Sequence, residues 1–393
     1  MKLKGDQQTS RALNRRLILN LLRHRVTMSR VDIAAATGLS SAAVTFVTTE
    51  LLAEGLVVEG EASKGGGGRR PVPLAINFSS RLAIGIKLTA TCLEAALCDL
   101  STTALKMLVE PIPDTSPETV VYHAAKVVRT LMPDAHERAG RLIGIGLALP
   151  GSYDVDRGIC TVMPRFGWEN VPIADMLAKE VDVPVWVDND VNSFALAQHL
   201  FGQGQSKRQM MALAVGAGIG AAFVTDGVLH RGARGMAGEI GHLITVPGGR
   251  PCPCGRLGCL ETYWSEVSLS ADWAAHVALQ PHSNPDLAHA ADLGDKAALA
   301  MLHRAGTGIG TVLASAIGMI DPDVIIVGGE GVRFGEHLRL PMAERMDELA
   351  FKSRPDIIFD WHHDSWPRGA AALALQKFFN FEVPEGAASS VSV

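Results

Sequence analysis

The sequence lacks the features that mark membrane, fibrous and disordered proteins. Of its 393 residues, 5% are aromatic and 20% are charged, and no apolar run reaches the roughly 18 residues that a membrane-spanning helix needs. Its start has no apolar segment followed by a small-residue cleavage site, so we expect no secretory signal and a cytoplasmic location. With 47% hydrophobic residues, the chain is instead suited to packed α/β domains, and its length predicts two or three.

Cysteine is scarce, and its distribution is uneven. Cys92, Cys98 and Cys160 are scattered in apolar surroundings, and we expect them to be buried, reduced core residues. The other three cysteines fall within eight residues, between positions 252 and 259. In a chain expected to be cytoplasmic, such a cluster favours a metal site over disulfides.

Charge is concentrated at one end of the chain. Residues 1–80 carry eleven Lys or Arg and six Asp or Glu, a net charge of +5, whereas the whole chain carries −5. The remaining residues therefore carry −10. This asymmetry predicts a polyanionic partner for the N-terminal segment alone.

The N-terminal segment has the pattern of a helix-turn-helix. Leu13, Leu17 and Leu21 recur every four residues, with Ile18 and Leu22 beside them, and predict an amphipathic helix. A second, short helix is predicted from a cap at Ser29, with Asp32 as its capping-box partner, to a left-handed exit at Gly38. A third helix follows at once, as in DNA-binding helix-turn-helix units.

The third helix is the candidate recognition helix. Ser40 is predicted to cap it, and Ser41, Thr45 and Thr49 remain on its outer face, where short hydrogen-bonding side chains meet bases or phosphates. Two strand-like runs then flank a Gly-rich tip with Arg69 and Arg70, as in the wing of a winged helix. Residues 1–76 are thus predicted to bind double-stranded operator DNA. The alternative is a small helical interaction domain with a flexible linker at 63–70.

From residue 82 onward, short apolar strands with Gly turns alternate with helices, which predicts an α/β body with ligands at strand ends. Two segments, VGAGIGAAFVTDGVLHRGARGMAGEIGH and PCPCGRLGCLE, resemble the signature of the ROK family of repressors, open reading frames and kinases. The N-terminal winged helix resembles its repressor branch, which includes xylose and N-acetylglucosamine repressors. The resemblance implies a two-lobed, actin-like (ribonuclease-H-like) sugar-kinase body with the sugar in its cleft.

The predicted limits follow from these patterns. We expect a winged helix-turn-helix domain over 1–76, a first α/β lobe over 82–195 and a second lobe with a metal loop over 196–382. The C-terminal helix is expected to be able to pack back on the first lobe. Residues 383–393 are small and polar, and we expect a frayed tail.

A zinc site is predicted in the second lobe. One imidazole and three thiolates, in the order His242-x9-Cys252-x-Cys254-x4-Cys259, match a closed structural Cys3His zinc site. The C-x-C spacing is tighter than the usual C-x2-C, and the ROK resemblance adds that the family places zinc on these four positions. Free cysteines in a Pro- and Gly-rich loop are the alternative.

The resemblance also implies a sugar cleft. Asp190 matches the general base of the family's kinases, and Asn189 matches a neighbouring sugar-binding residue. The other positions that match sugar-contacting residues are Pro150, Gly151, Glu239, His242 and Glu261. Taken alone, Asp190 could equally be a helix-capping acid. Arg165 stands near the place of a family Asn, where it would either meet an anionic sugar or face solvent.

Departures from the kinase pattern argue against phosphoryl transfer. Family kinases open with Asp-x-Gly-Gly-Thr, but here Lys87 replaces the Asp, and Thr89 and Ala90 replace the glycines. In the second phosphate turn, Ala217 replaces a Thr. Because phosphoryl transfer depends on positioning and metal-borne charge, we expect no enzyme activity.

We therefore expect a sugar-responsive transcriptional repressor, a homodimer or homotetramer, that binds operator DNA and a carbohydrate effector. Two alternatives stay open. One is an ATP-dependent sugar kinase with an added DNA-binding domain, and the other is a regulator controlled by a protein partner.

Overall fold

The computed structural model describes residues 7–60, 72–279, 284–352, 354–362 and 364–380. Within these ranges, no helix is long and apolar enough to cross a membrane. Arg69, Arg70, the rest of the predicted wing tip and the tail at 383–393 lie outside the described residues.

The N-terminal head combines three helices with a small antiparallel sheet. Its elements are α1 (Gln7–His24), β1 (Met28–Ser29), α2 (Arg30–Thr37), α3 (Ser41–Ala53), β2 (Val57–Glu59) and β3 (Pro73–Ile76). Strand β3 pairs with β1 on one side and β2 on the other, so β2 and β3 form the two arms of a wing. This is the predicted winged helix-turn-helix arrangement.

The predicted helix caps of the head are confirmed. Ser29 and Asp32 form a reciprocal capping box at the start of α2, and Gly38 ends that helix with φ +69°. The Ser40 side chain accepts a hydrogen bond from the Ala43 N–H at the start of α3. Local sequence therefore determines where both helices begin.

The first lobe is built on a five-stranded sheet. Its elements are β4 (Leu82–Leu88), β5 (Cys92–Asp99), β6 (Ala104–Pro111), α4 (Pro117–Leu131), α5 (Ala135–Arg141), β7 (Leu142–Leu149), β8 (Ser152–Asp154), β9 (Ile159–Met163), β10 (Trp168–Val171), α6 (Ile173–Val181) and β11 (Val185–Asn189). The main sheet has the order β11-β7-β4-β5-β6, and β8, β9 and β10 form a separate antiparallel sheet.

The second lobe contains a five-stranded sheet with the same strand topology. Its elements are α7 (Asp190–Phe201), β12 (Met210–Val215), β13 (Ile219–Thr225), β14 (Val228–His230), α8 (Glu261–Trp264), α9 (Glu266–Leu279), α10 (Leu287–Asp292), α11 (Lys296–Ile320), β15 (Val324–Gly328), α12 (Gly335–Leu349), β16 (Asp356–Phe359) and α13 (Ser365–Asn380). In both sheets, three consecutive antiparallel strands are extended by two parallel strands on the side of the first strand.

Helices α7 and α13 lie between the two sheets. Helix α7 packs on β12 and β13 of the second lobe, α13 packs on β4 and β7 of the first, and the two helices contact each other. The C-terminal helix thus does pack back on the first lobe. The predicted limit between residues 195 and 196 falls inside α7, and the limits of the lobes stay a prediction.

Two glycines allow α13 to approach the first sheet closely. A Cβ atom on Gly85 of β4 would lie 1.9 Å from the Pro367 carbonyl oxygen, and one on Gly146 of β7 would lie 1.8 Å from the Ala370 carbonyl oxygen. Both carbonyls belong to the α13 backbone, which cannot yield as a flexible side chain would. Glycine at these two positions is therefore a condition of the helix–sheet contact.

The predicted apolar face of α1 is wrong in part. Leu13 and Leu17 are 38% and 41% exposed, whereas Ile18, Leu19 and Leu22 are buried. These buried residues belong to one core with Ala371, Ala374, Leu375 and Phe379 of α13. Helix α1 packs on α3 and β3 of the head as well as on α13, so several elements together set its buried face, and one of them lies more than 300 residues away.

The scattered cysteines differ in burial. Cys98 and Cys160 are buried, as predicted, but Cys92 is only half-buried. Cys92 begins β5 beside a turn, where its Sγ lies 3.2 Å from the Thr89 hydroxyl.

We predict that Gly146→Ala lowers the free energy of unfolding by about 1–3 kcal/mol, because the new methyl group overpacks the sheet against α13. Urea unfolding followed by circular dichroism measures this change. Gly318→Ala is the matched control, since Gly318 is an exposed position of α11 with nothing near its Cβ. There, alanine should add about 1 kcal/mol of stability through helix propensity. Equal stability of the two variants would contradict the packing argument.

Candidate functional site

The carboxyl ends of two adjacent parallel strands form one wall of the cleft. Strands β7 and β11 are in register at Leu149 and Asn189, so the Pro150–Gly151 turn lies beside Asn189. The Asn189 amide Nδ2 donates to the Gly151 carbonyl oxygen at 3.0 Å. Gly151 has φ +98°, and a Cβ there would lie 2.6 Å from the Val162 carbonyl oxygen. The structure thus brings these predicted site residues together.

Asn189, rather than Asp190, is the residue that caps α7. Its Oδ1 accepts hydrogen bonds from the backbone N–H groups of Val191 and Asn192. Asp190 is the first residue of the helix, and its carboxylate also accepts from Val191 N–H. Burial raises the pKa of Asp190, although the nearby Lys87 ammonium opposes the rise. The capping alternative therefore applies mainly to Asn189.

The second lobe contributes further acidic groups. Glu239 precedes a short 3-10 helix, Ile240–His242, and Glu261 begins α8. Partial burial raises the pKa of Glu239, although its side chain is 41% exposed; His242 opposes the rise, and the charges of Asp190 and Glu261 add to it. The Glu239 and Glu261 carboxylates both lie close to the His242 imidazole, where they could bind hydroxyl groups together.

His242, Cys252, Cys254 and Cys259 converge as predicted. One donor atom from each lies within 4.8 Å of the other three, which suits a tetrahedral metal ion. Hydrogen bonds fold the loop back on itself, from Cys252 N–H to the Arg256 carbonyl and from Gly255 N–H to the Cys252 carbonyl. The cluster is thus a group of residues that could hold a metal.

The thiol chemistry of the cluster also suits a cation. Burial raises the pKa values of Cys252 and Cys259. Burial would raise that of Cys254 as well, but hydrogen bonds from Arg256 and the neighbouring thiols lower it to about 6. Three thiols packed together cannot all ionise without a compensating charge. A divalent cation supplies that charge and holds each sulfur as a thiolate.

The His242 imidazole faces two sites at once. Its Nδ1 lies 3.5 Å from the Cys252 Sγ and 3.4 Å from the Glu261 carboxylate. Its Nε2 lies 3.8 Å from the Glu239 carboxylate. The two roles predicted for His242, metal ligand and cleft residue, are therefore compatible, since they use different ring nitrogens.

Lys87, Glu330 and Trp366 meet beside Gly216, next to the positions where the sequence departs from the kinase phosphate motifs. Lys87 is 7% exposed, and its ammonium lies 3.9 Å from the Glu330 carboxylate and 4.1 Å from the centre of the Trp366 ring. The other Glu330 oxygen lies 2.2 Å from where a Cβ on Gly216 would stand. Glu330 and Trp366 were missed at the sequence level, because neither belongs to a phosphate motif.

The three remaining kinase departures, Thr89, Ala90 and Ala217, lie in tight turns. The Thr89 hydroxyl accepts hydrogen bonds from the N–H groups of Thr91 and Cys92, so Thr89 and Ala90 belong to the closed β4–β5 turn. Ala217 lies in the β12–β13 turn, which the Gly216 N–H closes by donating to the Gly218 carbonyl at 2.9 Å.

The outer face of α3 carries the predicted polar residues. Ser41, Thr45 and Thr49 are exposed and line a shallow hollow, while the Ser40 hydroxyl serves as the helix cap. Phe46 lies on the same face and is 56% exposed. It was missed, although its position three residues before Thr49 puts it on that face of the helix.

Several N-terminal arginines have partners within the protein. Arg11 pairs with Glu50, and Arg15 pairs with Glu54, so α1 is tied to α3 by two ion pairs. Arg23 donates to the Leu200 carbonyl oxygen of α7. Net charge therefore overestimates how much of the head's positive charge can face DNA.

Arg165 is exposed in the turn between β9 and β10, next to Phe166, which packs against the first-lobe core. Both interpretations of Arg165 stay open.

Known proteins similar to this chain include regulators and kinases. The DNA-binding transcriptional dual regulator NagC of Escherichia coli K12 is 29% identical over 348 residues, which cover 86% of each chain. A glucokinase of Halalkalibacterium halodurans is 34% identical over 232 residues, which cover 55% of this chain and 69% of the glucokinase.

A solved structure of a ROK family transcriptional regulator, a homologue of the E. coli MLC protein, matches with a TM-score of 0.81 and 24% identity. The match covers 95% of this chain and 97% of that one, and it confirms the predicted fold, a winged helix-turn-helix head on a two-lobed body. Residues 83–377 match the ROK family, and the chain therefore belongs to that family.

Proposed function

We propose that this chain is a carbohydrate-responsive transcriptional repressor. The observation that carries the proposal is that one chain has both an exposed polar helix in its head and, in its body, a Lys87–Glu330 ion pair at the position of the kinase phosphate motif. Its similarity to NagC, a transcriptional regulator, supports the same function.

Operator DNA is the proposed partner of the head. Ser41, Thr45 and Thr49 can exchange hydrogen bonds with base edges or phosphates, and Phe46 can contact a thymine methyl group. Ser40 lies at the N-terminus of α3, where backbone N–H groups favour a phosphate. We propose Arg69 and Arg70 as wing contacts to the minor groove or to phosphates.

A small carbohydrate is the proposed occupant of the cleft. Carboxylates accept hydrogen bonds from hydroxyls, while the Asn189 amide both donates and accepts. The proposed binding residues are Pro150, Gly151, Asn189, Asp190, Glu239, His242 and Glu261. In this function, Asp190 binds a hydroxyl without acting as a base.

We further propose that the chain does not phosphorylate sugars. A kinase needs an acid to place Mg²⁺ and open backbone to approach phosphate. Here the Lys87 ammonium and the Glu330 carboxylate stand in that region instead. The Lys87 ammonium, in place of the acid, repels a metal cation at that position.

Zinc is the proposed metal of the Cys3His cluster. His242, Cys252, Cys254 and Cys259 would hold it, and its role would be structural, to cross-link a loop with little apolar content. Because the other nitrogen of His242 faces Glu239, the metal would also orient one wall of the sugar cleft.

Helix α7 is the proposed link between sugar and DNA. It begins at Asn189 and Asp190 in the cleft and, at about 18 Å in length, ends against the head. There the Arg23 guanidinium lies 5.4 Å from the centre of the Phe201 ring and bonds to the Leu200 carbonyl. Arg23 also lies over Phe379 of α13. A shift of α7 would therefore move the head.

The mechanism we propose is a population shift between two arrangements of a homodimer or homotetramer. Sugar favours the arrangement in which the two heads no longer match the spacing of the operator half-sites. Sugar binding then lowers the affinity for DNA, and DNA binding lowers the affinity for sugar by the same factor.

The proposed function predicts specific binding to the intergenic DNA beside the chain's own gene, released by one sugar. We would measure it by fluorescence anisotropy at fixed salt, with xylose, glucose, N-acetylglucosamine and glucuronate, since salt alone changes phosphate-driven affinity. Thr45→Glu is the control, because a carboxylate on the exposed face should abolish DNA binding and leave sugar binding intact. Specific DNA binding that no sugar changes would favour the protein-partner alternative.

The zinc proposal predicts about one zinc per chain in the purified protein and its loss in Cys254→Ser, with a weakened sugar response. Elemental analysis and sugar titration measure both effects. Cys92→Ser, which alters a half-buried cysteine outside the cluster, should keep the metal. A metal-free protein with the full sugar response would contradict the proposal.

The α7 link predicts that Arg23→Ala uncouples the two ligands. In the unmodified protein, sugar should weaken DNA affinity by a factor of about 5 to 150, the usual range for coupled sites. In Arg23→Ala this factor should fall toward one, while each ligand binds separately. Arg25→Ala, on the exposed end of the same segment, should keep the factor. Full coupling in Arg23→Ala would exclude α7 as the link.

An ATP-dependent hexose kinase is the second candidate, favoured by the position of Asp190 and by the similarity to a glucokinase. Release of ADP on addition of ATP and glucose, measured in a coupled assay, would support it. We expect none.

A further inference from the structure

An ion pair between a buried aspartate and a partly exposed arginine connects the two lobes beside the cleft. The Arg231 Nε donates to the Asp188 Oδ2 at 2.8 Å, and Asp188 is 2% exposed. Asp188 belongs to β11 of the first lobe, whereas Arg231 directly follows β14 of the second. The sequence motifs include neither residue among the site positions.

The Asp188 carboxylate also organises the first wall of the cleft. Its second oxygen, Oδ1, accepts hydrogen bonds from the Asn189 N–H at 2.7 Å and from the Asn192 Nδ2 at 2.9 Å. Both donors belong to the corner where β11 turns into α7. The Asp188 carboxylate therefore contacts both lobes. Its Oδ1 bonds to the corner that carries Asn189 and Asp190, and its Oδ2 bonds to Arg231 of the second lobe.

The segment that follows Arg231 rests on the first lobe. At Gly235, φ is +70°, and a Cβ there would lie 2.6 Å from the Tyr153 carbonyl oxygen. The Tyr153 hydroxyl in turn donates to the Pro150 carbonyl oxygen at 2.7 Å. Residues 231–238, although they continue a second-lobe strand, are thus seated against the wall that includes the Pro150–Gly151 turn.

The same segment ends at Glu239. The Gly238 carbonyl accepts a hydrogen bond from the Ala221 N–H of β13 at 2.8 Å, which returns the chain to the second-lobe sheet. Arg231 and Ala221 therefore hold the two ends of a short span, one end on each lobe. The position of the Glu239 carboxylate relative to Asn189 and Asp190 depends on both attachments.

We infer that Arg231 is a positioning residue for effector binding. By pairing with Asp188, it sets the separation between the Asn189–Asp190 corner and the Glu239 segment, so that a ligand touching both walls meets them at the required distance. This inference rests on the proposed function, because it assigns a role within the same carbohydrate site. Arg231 acts through Asp188 and does not itself contact the ligand.

The physical basis is the cost of leaving a buried charge without its partner. If the lobes move apart, the Asp188 carboxylate loses the guanidinium without gaining full hydration. The pair therefore favours the arrangement in which the two walls are close. Without Arg231, the backbone hydrogen bonds of the segment remain, from Ala221 N–H to the Gly238 carbonyl and from Ala237 N–H to the Arg231 carbonyl, but the side-chain link to Asp188 is lost, so the distance between the two walls is no longer fixed.

The test compares Arg231→Gln with the unmodified full-length protein, using whichever sugar of the panel above binds. We expect the dissociation constant for that sugar, measured by isothermal titration calorimetry, to rise at least about tenfold, as for loss of one partner of a buried charge pair. Arg234→Gln is the matched control, since Arg234 is exposed on the same segment. It should bind the sugar with unchanged affinity.

A second readout separates positioning from a general loss of structure. DNA affinity without sugar should not fall in Arg231→Gln, because the head packs on α7 and α13 rather than on this segment. Arg231→Lys, which keeps the charge but lacks the Nε–H, should recover part of the sugar affinity. If Arg231→Gln is poorly folded, Arg231→Lys and Asp188→Asn are compared with the unmodified protein instead. Each of these two variants should weaken sugar binding.

Three outcomes would overturn the inference. Unchanged sugar affinity in the Arg231 variants would exclude the role directly. Equal loss of sugar and DNA affinity would make the pair merely structural. Failure of the unmodified protein to bind any sugar of the panel would instead overturn the proposed function, and the inference with it.

Discussion

The close contact between α13 and the first-lobe sheet is the constraint on which the arrangement of the whole chain depends. Gly85 and Gly146 leave no Cβ atoms in the way, so the helix backbone lies directly on the strands. Once seated there, α13 offers one side to α7 and another to the head, where Ile18, Leu19 and Leu22 join its core. Cleft, lobes and head are therefore connected through packed helices and not only through the chain, which is what a ligand-controlled DNA-binding protein requires.

In the cleft, single side chains each contact two neighbouring groups. Asn189 caps α7 with its oxygen and holds the Gly151 carbonyl with its nitrogen. His242 faces the thiols with one nitrogen and Glu239 with the other. Such residues transmit a change at one group to the next, because neither contact can be altered alone. The proposed dependence of sugar binding on the metal cluster follows from this geometry.

Much of the local structure was predictable, because it depends on neighbouring residues. The capping box of Ser29 and Asp32, the exit at Gly38 and the cap at Ser40 are short-range features, and the structure has them where the sequence indicates. The four metal-binding candidates also converge, since three of them lie within one loop. Predictions based on periodicity were weaker: Leu13 and Leu17 have helical spacing but are exposed, because the elements that pack on α1, namely α3, β3 and α13, cover another face.

By itself, the sequence determined the fold class, the helix caps, the family and the residue types available for a sugar, a metal and DNA. Only the tertiary structure decided which of these groups meet. It paired Arg11 and Arg15 with glutamates, exposed Phe46 beside Thr45, and put Glu330 and Trp366 against Lys87. It also joined Asp188 to Arg231 across the lobes. The physical reason is that charge pairing and burial depend on distances between residues remote in the chain, which no local pattern specifies.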